Sequence, residues 1–261
     1  MKDLVETMIL AIDIGNSNIV IGCIDKENTY FVERLSTNHS KTDLEYAINI
    51  KSILDLYHIT SEAIEGSIIS SVVPPLSNVM KRAVWKCLGK QAMIVGPGLK
   101  TGLDIKIDNP GQLGSDLVVD AVAAIAEYPV PAIVIDMGTA TTFSVINEKK
   151  TYLGGAIIPG VRISLDSMTS RTSQLPKISL EAPRHTIGKN TIECIKSGAI
   201  YANASMIDGM IERINEELGR EATVIATGGL SAFIIPHCKK KIIYDDNLLL
   251  KGLQIIYNKN K

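Results

Sequence analysis

Two stretches of this 261-residue chain share one plan, MILAIDIGNSNIVIGCI at residues 8–24 and AIVIDMGTATTFSVI at residues 132–146. In each, an aliphatic run ends in Asp-x-Gly, small polar residues follow, and a second apolar run comes next. This pattern predicts a buried strand, a tight turn and a second strand. Asp13 and Asp136 occupy equivalent points of the two predicted hairpins, so the chain is expected to contain two related halves.

A second pair of apolar runs supports the duplication, because IISSVVPP at 68–75 and VIATGGL at 224–230 both end in small-residue turns late in their half. The segments with helical periodicity are 43–57, opened by Thr42 as N-cap, 115–128, and 191–218, closed by Gly219. Strands that alternate with helices predict an α/β fold with mixed sheets flanked by helices.

The break between the halves is placed at EYPVP, residues 127–131, where a helix ends and a strand begins. Two domains are therefore expected, residues 1–128 and residues 129–261, each with one Asp-x-Gly hairpin. A single doubly wound sheet is the alternative, but such a sheet has one phosphate turn rather than two.

Composition excludes several classes of protein. The 27 basic and 28 acidic residues leave a net charge of −1, so no basic excess favours nucleic acid as a partner. No apolar run approaches the roughly 20 residues of a membrane span. Residues 1–7 have neither a basic region nor a cleavage site typical of a secretory signal. The four cysteines form no CxxC pair, which favours reduced thiols and a cytoplasmic location.

The two predicted turns suit the binding of a nucleotide. A glycine turn lets backbone N–H groups approach a phosphate, and the adjacent carboxylate can hold a divalent cation. Side-chain donors lie in both turns, namely Asn16, Ser17, Thr139, Thr141 and Thr142, and the turn at 227–229 offers a surface for an adenosine. A single Asp-x-Gly is usually an ordinary turn, whereas two copies with a late Thr-Gly-Gly favour a nucleotide site. No P-loop or GxGxxG motif is present.

Ordered segments along nearly the whole chain resemble the type III pantothenate kinases, members of the superfamily of acetate kinase, sugar kinases, Hsp70 and actin. The segments are IDIGNSN (12–18), RLST (34–37), SSVVPPL (70–76), PGLKTGL (97–103), DNP (108–110), GSD (114–116), DMGTATT (136–142), GGAIIPG (154–160), IGKNT (187–191), SGAIY (197–201) and ATGGL (226–230). The resemblance implies two duplicated ribonuclease H-like domains of the actin-like ATPase type.

The resemblance also implies roles for individual residues. The nucleotide-binding set is Asp13, Ile14, Gly15, Asn16, Ser17, Asn18, Ile19, Val20 and Thr139, with Asp13 near Mg²⁺. Asp136 matches a position that binds a monovalent cation, K⁺ or NH₄⁺. Asp116 matches the general base, although an aspartate in a first helical turn is also favoured by the helix dipole. Thr191 matches a residue that contacts the substrate, and a helix cap is its alternative role.

Two positions on the acceptor side depart from the family pattern. The usual Gly-Ala-Asp-Arg is Gly114, Ser115, Asp116 and Leu117 here, and Ile107 replaces a tyrosine before Asp-Asn-Pro. The expected substrate-binding residues are Ile107, Gly114, Ser115, Asp116, Leu117 and Thr191. Replacing arginine by leucine removes a charged hydrogen bond worth about 1.5–3 kcal/mol.

The function that the resemblance implies is ATP-dependent phosphorylation of pantothenate to 4′-phosphopantothenate, the first step of coenzyme A synthesis. ATP, Mg²⁺ and a monovalent cation are the expected cofactors, and a homodimer is the expected assembly. Because of Leu117 and Ile107, two alternatives stay open: a kinase with another hydroxyl acceptor, and a nucleotide-binding regulator without catalysis.

Overall fold

The computed structural model describes residues 8–261. The first seven residues, for which no secretory signal is predicted, lie outside the described residues. The strands are β1 (Met8–Ile14), β2 (Asn18–Ile24), β3 (Thr29–Ser36), β4 (Ile64–Ser71), β5 (Ala92–Ile94), β6 (Asp104–Ile105), β7 (Ala132–Met137), β8 (Ala140–Ile146), β9 (Thr151–Pro159), β10 (Thr223–Thr227) and β11 (Ile243–Tyr244). The α-helices are α1 (Asp43–Leu56), α2 (Pro74–Leu88), α3 (Ser115–Glu127), α4 (Val161–Arg171), α5 (Thr191–Ser197), α6 (Asn203–Leu218), α7 (Ser231–Ile234) and α8 (Leu248–Asn260).

The two sheets repeat one topology, which confirms the predicted duplication. In the described part of the chain the first sheet has the order β3-β2-β1-β4-β5, and the second has β11-β10-β7-β8-β9-β6. The strands β1, β2 and β3 pair antiparallel, as do β7, β8 and β9. The strand β4 lies parallel to β1, and β10 lies parallel to β7. Each half therefore contributes a mixed sheet.

Local sequence accounts for the helix ends that were predicted. Thr42 opens α1 with a capping box, since its hydroxyl accepts from Glu45 N–H while the Glu45 carboxylate accepts from Thr42 N–H. Gly219 ends α6 in the left-handed conformation that glycine adopts without strain. The helix predicted over 191–218 is interrupted by a π-helical turn at Gly198–Ala202, so it forms α5 and α6.

The chain divides into two compact units whose bounds differ from the two consecutive domains expected. Among the described residues, the first unit comprises residues 8–102, together with Asn109–Ala123 and Leu249–Lys261. The second comprises Leu103–Asp108 and Ala124–Leu248. Short strand β6 joins the second unit because it pairs parallel with β9.

Helix α8 joins the first unit because its side chains fill spaces left by glycines on the first sheet. A Cβ built on Gly22 would lie 2.7 Å from a Leu250 methyl, and one built on Gly66 would overlap the Tyr257 ring. Gly252 itself allows α8 to contact the backbone of α3, since its Cβ would lie 2.1 Å from Val119 O. Long-range packing therefore determines this boundary.

Each unit has its own hydrophobic core. In the first, the α1 and α2 side chains pack against Leu10, Ile12 and Ile14, which alternate along one face of β1. In the second, Ile133 and Ile135 of β7 pack with side chains of α4 and α6. Within residues 8–261, the structure contains no helix long and apolar enough to cross a membrane.

Candidate functional site

The turn between β1 and β2 presents a short exposed loop. Gly15 N–H donates to Asn18 O at 3.0 Å, which leaves Asn16 and Ser17 as the exposed turn residues. The side chains of Ile14 and Ile19 are fully buried in the core. Any contact of these two isoleucines with a nucleotide is therefore made through the main chain.

Strand pairing places Asp13 in a polar row at the edge of the first sheet. Its Cα partners are Val20 on β2 and Ser70 on β4, so all three side chains lie on one face. The strands β1 and β4 are parallel, and ligands of open α/β sheets bind at the carboxyl ends of such strands. Asp13 and Ser70 stand one residue before the end of their strands.

A hydroxyl network ties the start of α3 to this edge. Ser115 Oγ donates to Ser71 O and accepts from Ser71 N–H, both at 3.0 Å. Ser70 Oγ lies 3.0 Å from Ser115 Oγ and completes the arrangement. Ser115, which replaces the alanine usual in the family motif, thus anchors the first turn of α3 beside Ser70, the strand partner of Asp13.

Asp116 follows in the same turn and is held in a confined place. Its Oδ1 accepts from Leu117 N–H at 2.8 Å. A Cβ on Gly114 would lie 2.4 Å from that oxygen, so the glycine makes room for the carboxylate. Burial raises the pKa of Asp116 above its ordinary value, and the hydrogen bond from Leu117 opposes this only in part. A carboxylate with a raised pKa suits proton abstraction.

The second hairpin has a tighter turn than the first. Gly138 N–H donates to Ala140 O at 3.0 Å, so Thr139 alone forms the tip. Asp136 pairs with Thr142 on β8 and with Thr227 on β10, and the three side chains share one face. This row corresponds to the row of Val20, Asp13 and Ser70 in the first unit.

The surroundings of Asp136 fit a monovalent cation. Thr142 Oγ1 is buried and has no hydrogen-bond partner among the described residues, although its strand position faces Asp136. A Cβ on Gly228 would lie 2.3 Å from Asp136 Oδ1, so the turn after β10 closes over the carboxylate. A carboxylate and a hydroxyl without a hydrogen-bond partner are hard oxygen ligands, the type that such cations prefer.

The surroundings of Asp13 fit Mg²⁺ in a different way. Among residues 8–261, the structure contains no group of three or more His, Cys, Asp or Glu side chains poised for a metal. Mg²⁺ commonly keeps several waters and binds one or two carboxylates together with substrate phosphates. One carboxylate beside a loop for phosphates is consistent with that mode of binding.

The remaining predicted residues lie in several places. Leu117 follows Asp116 in α3 of the first unit and is half-buried. Ile107 belongs to the second unit, where its Cγ2 would lie 3.8 Å from a Cβ on Gly154. Thr191 is exposed at the start of α5, and the helix cap is made by Asn190, whose side chain accepts from Glu193 N–H at 2.9 Å. Thr191 is therefore not the cap.

Thr191 lines a cavity of about 650 Å³ within the second unit. Its walls are mainly apolar and come from α4, from the segment before α5, from α5 itself and from the residues after α5 up to Asn203. The side chains that define it include Leu165, Met168 and Ile195, with Lys189 and Asn190 near Thr191 as polar groups. An apolar cavity with few polar groups is a common form of small-molecule site.

Sequence reasoning missed three polar residues of the first unit. Ser70 and Ser71 bind Ser115, and Thr37 contacts the first turn through its hydroxyl and its N–H group. All three belong to segments quoted for the family resemblance, which carries no signal of these contacts. Their role depends on which strand ends meet, and this is a property of the topology.

The chain is similar to proteins of one known family along nearly its whole length. The sequence model of the type III pantothenate kinase family matches residues 9–213. A type III pantothenate kinase of Exiguobacterium sp. is 44% identical over 254 residues, covering 97% of this chain and 100% of its own. That of Halalkalibacterium halodurans is 45% identical over 253 residues with the same coverage.

Solved structures support the fold alone. A Campylobacter jejuni protein described as a Baf family transcriptional activator gives a TM-score of 0.58 at 21% identity, covering 96% of this chain and 98% of its own. Component A of (R)-2-hydroxyglutaryl-CoA dehydratase from Acidaminococcus fermentans gives a TM-score of 0.54 at 15% identity, covering 96% of this chain and 97% of its own. These likenesses agree with the α/β fold of two mixed sheets flanked by helices that the sequence predicts.

An Asp116→Asn variant is expected to be more stable than the wild type at about pH 7. The pKa of Asp116 is higher in the folded chain than in the unfolded chain, so the protonated carboxyl group favours the folded state below about pH 4. This stabilisation is lost as the pH rises and the carboxyl group of the folded chain ionises. The difference in Tm should therefore be near zero at about pH 4 and positive at about pH 7, as thermal melts can measure.

Asp43 provides the control of opposite sign. Its hydrogen bonds to Lys86 and Arg82 lower its pKa, so Asp43→Asn should lose stability relative to the wild type as the pH rises. If the Tm difference for Asp116→Asn stays at zero or becomes negative with rising pH, the account of Asp116 as a buried charge is wrong.

Proposed function

This chain belongs to the type III pantothenate kinase family, and on that premise we propose that it transfers the γ-phosphate of ATP to the primary hydroxyl of pantothenate. The product is 4′-phosphopantothenate, and the reaction opens coenzyme A synthesis. The observation that carries the assignment of residues is the half-buried Asp116 carboxylate with its raised pKa, anchored through Ser115 to the strand beside Asp13.

The first loop binds the phosphates of ATP through main-chain N–H groups and the polar side chains of Asn16 and Ser17. Asp13 and Thr139 complete the contacts with the nucleotide. Asp13 would hold Mg²⁺, which would supply neutralising charge to the phosphates of ATP. Phosphoryl transfer asks the protein mainly for positioning and electrostatic stabilisation, and these residues provide both.

Asp116 acts as the general base. Its carboxylate accepts the proton of the pantothenate hydroxyl as that oxygen attacks the γ-phosphorus, and ADP leaves. Burial makes the carboxylate a stronger base than an exposed aspartate, while Leu117 N–H keeps Oδ1 in one orientation. Gly114 and Ser115 place this turn of α3, and Ile107, Leu117 and Thr191 contact the acceptor.

Asp136 holds the monovalent cation, with K⁺ or NH₄⁺ as the occupant. The unpartnered Thr142 hydroxyl and the close approach of Gly228 support this assignment. A cation held there would supply positive charge beside the turn at Thr139.

Pantothenate is favoured over another acceptor and over a role as a regulator without catalysis. Relatives that match the chain from end to end at 44–45% identity are named type III pantothenate kinases. Leu117 and Ile107 therefore adjust the pocket and leave the reaction unchanged. The cytoplasm is the proposed location, where ATP and the free cysteines are both expected.

The second unit supports a homodimer. Several large apolar side chains are exposed there, namely Ile157, Ile163, Met168, Ile187 and Ile192. Ile187 is 83% exposed, and large apolar side chains exposed in such number are consistent with an interface. We propose that two copies associate through this unit.

Pantothenate-dependent release of ADP tests the activity. In Mg·ATP and K⁺, the wild type should turn over only with pantothenate, and Asp116→Asn should lose at least about 100-fold in kcat because the base is absent. Replacing K⁺ by Na⁺ should lower the rate in the wild type. Binding of ATP without turnover on pantothenate would overturn the proposal.

A Leu117→Arg variant tests the acceptor pocket. Because arginine adds a charged hydrogen bond for the substrate, the KM for pantothenate should fall about tenfold while the KM for ATP stays unchanged. Leu117→Met is the matched control, since it alters shape without charge. Equal KM values for pantothenate in the two variants would show that no acceptor group faces this position.

Sedimentation velocity tests the dimer. Ile187→Asp should convert the dimer to a monomer, because it places a charge on the proposed apolar interface. Ile48→Asp is the control, as Ile48 is also exposed but lies on α1 of the first unit. A dimer that survives Ile187→Asp and dissociates with Ile48→Asp would move the interface to the first unit.

A further inference from the structure

Thr37 contacts both sides of the first loop. It is the residue directly after β3, and its N–H donates to Ser17 O at 3.0 Å. Its hydroxyl reaches further and donates to Gly15 O at 2.6 Å. One residue therefore binds the two carbonyls that flank the exposed turn at Asn16 and Ser17.

These two hydrogen bonds orient the peptide groups of the loop. In a planar trans peptide, the N–H of one residue points opposite to the carbonyl of the residue before it. Since Gly15 O faces Thr37, the N–H of Asn16 is turned away from Thr37. The same holds for the N–H of Asn18, because Ser17 O also faces Thr37. The loop thus offers donors on the side away from Thr37, as an anion site requires.

The second unit holds its loop differently at the equivalent place. Gly160 follows β9 as Thr37 follows β3, and its N–H donates to Thr139 O at 3.1 Å. It has no hydroxyl to bind Gly138 O, and a Cβ there would lie 2.6 Å from that oxygen. The main-chain bond is shared by both units, whereas the side-chain bond belongs to the first loop.

We infer that Thr37 is a positioning residue for nucleotide binding, whose hydroxyl fixes the orientation of the Gly15–Asn16 peptide and so aims the Asn16 N–H of the first loop at the phosphates. The inference rests on the proposed function, because it assigns the phosphates of ATP to this loop. Its consequence is specific: removal of the hydroxyl weakens the binding of Mg·ATP and leaves the acceptor side unaffected.

The experiment compares Thr37→Val and Thr37→Ala, which both remove the hydroxyl, with Thr37→Ser, which keeps it. Thr29→Val is the matched control, since it alters a threonine at the opposite end of β3. For each protein, calorimetry measures the Kd of Mg·ATP, steady-state kinetics measure both KM values and kcat, and thermal melts measure Tm without nucleotide.

Loss of one hydrogen bond should raise the Kd and KM of Mg·ATP by about 3- to 10-fold in the valine and alanine variants. The KM for pantothenate and kcat should change less than about twofold, and the serine and Thr29 variants should match the wild type. Using both valine and alanine separates a steric effect of the added methyl from loss of the bond.

Two results would overturn the inference and are distinguishable from each other. If the hydroxyl-free variants melt at a lower temperature but bind Mg·ATP as the wild type does, Thr37 has a structural role only. If the wild type itself does not bind Mg·ATP, the proposed function fails and the inference fails with it.

Discussion

The parallel pairing of β1 with β4, repeated by β7 with β10, determines where the functional side chains of each unit lie. In a parallel pair the carboxyl ends of both strands reach the same edge, so the residues that follow them meet. This brings Asp13 beside Ser70 in the first unit and Asp136 beside Thr227 in the second. The hairpin of each unit then adds a turn at that edge. A carboxylate next to a glycine turn is therefore a consequence of the topology, and the duplication supplies it twice.

The two copies differ in the chemistry around the repeated carboxylate. In the first unit, Asp13 faces Val20, and the Ser70 hydroxyl is hydrogen-bonded to the hydroxyl of Ser115. In the second, Asp136 faces Thr142, whose buried hydroxyl has no hydrogen-bond partner among the described residues. One polar row is thus connected to the helix that carries Asp116, and the other retains an oxygen for a ligand. The same backbone plan suits phosphate and base in one unit and a cation in the other.

The sequence alone predicts the local elements of this fold and fails on contacts made over long separations. The hairpins, the cap at Thr42 and the helix end at Gly219 depend on neighbouring residues, and all are as predicted. The place of α8 in the first unit depends on the absence of side chains at Gly22 and Gly66, more than 180 residues earlier in the chain. Periodicity carries no information about such partners. The same reason explains why Asp116 was identified by motif, whereas Ser70 and Thr37 were not.

Asp116 shows how the fold adjusts one functional group with two opposed effects. A carboxylate in the first turn of a helix is stabilised by the helix dipole and by free N–H groups, and both effects lower its pKa. Burial removes solvent from the charge and raises the pKa, and this effect is the larger one here. If the N–H groups dominated, the carboxylate would be held in place but would be a weak base. If burial acted alone, it would have no fixed orientation. Because Leu117 N–H holds Oδ1 while burial raises the pKa, the position and the basicity of the group are determined together, at a cost to stability that a residue without a function at this place would not carry.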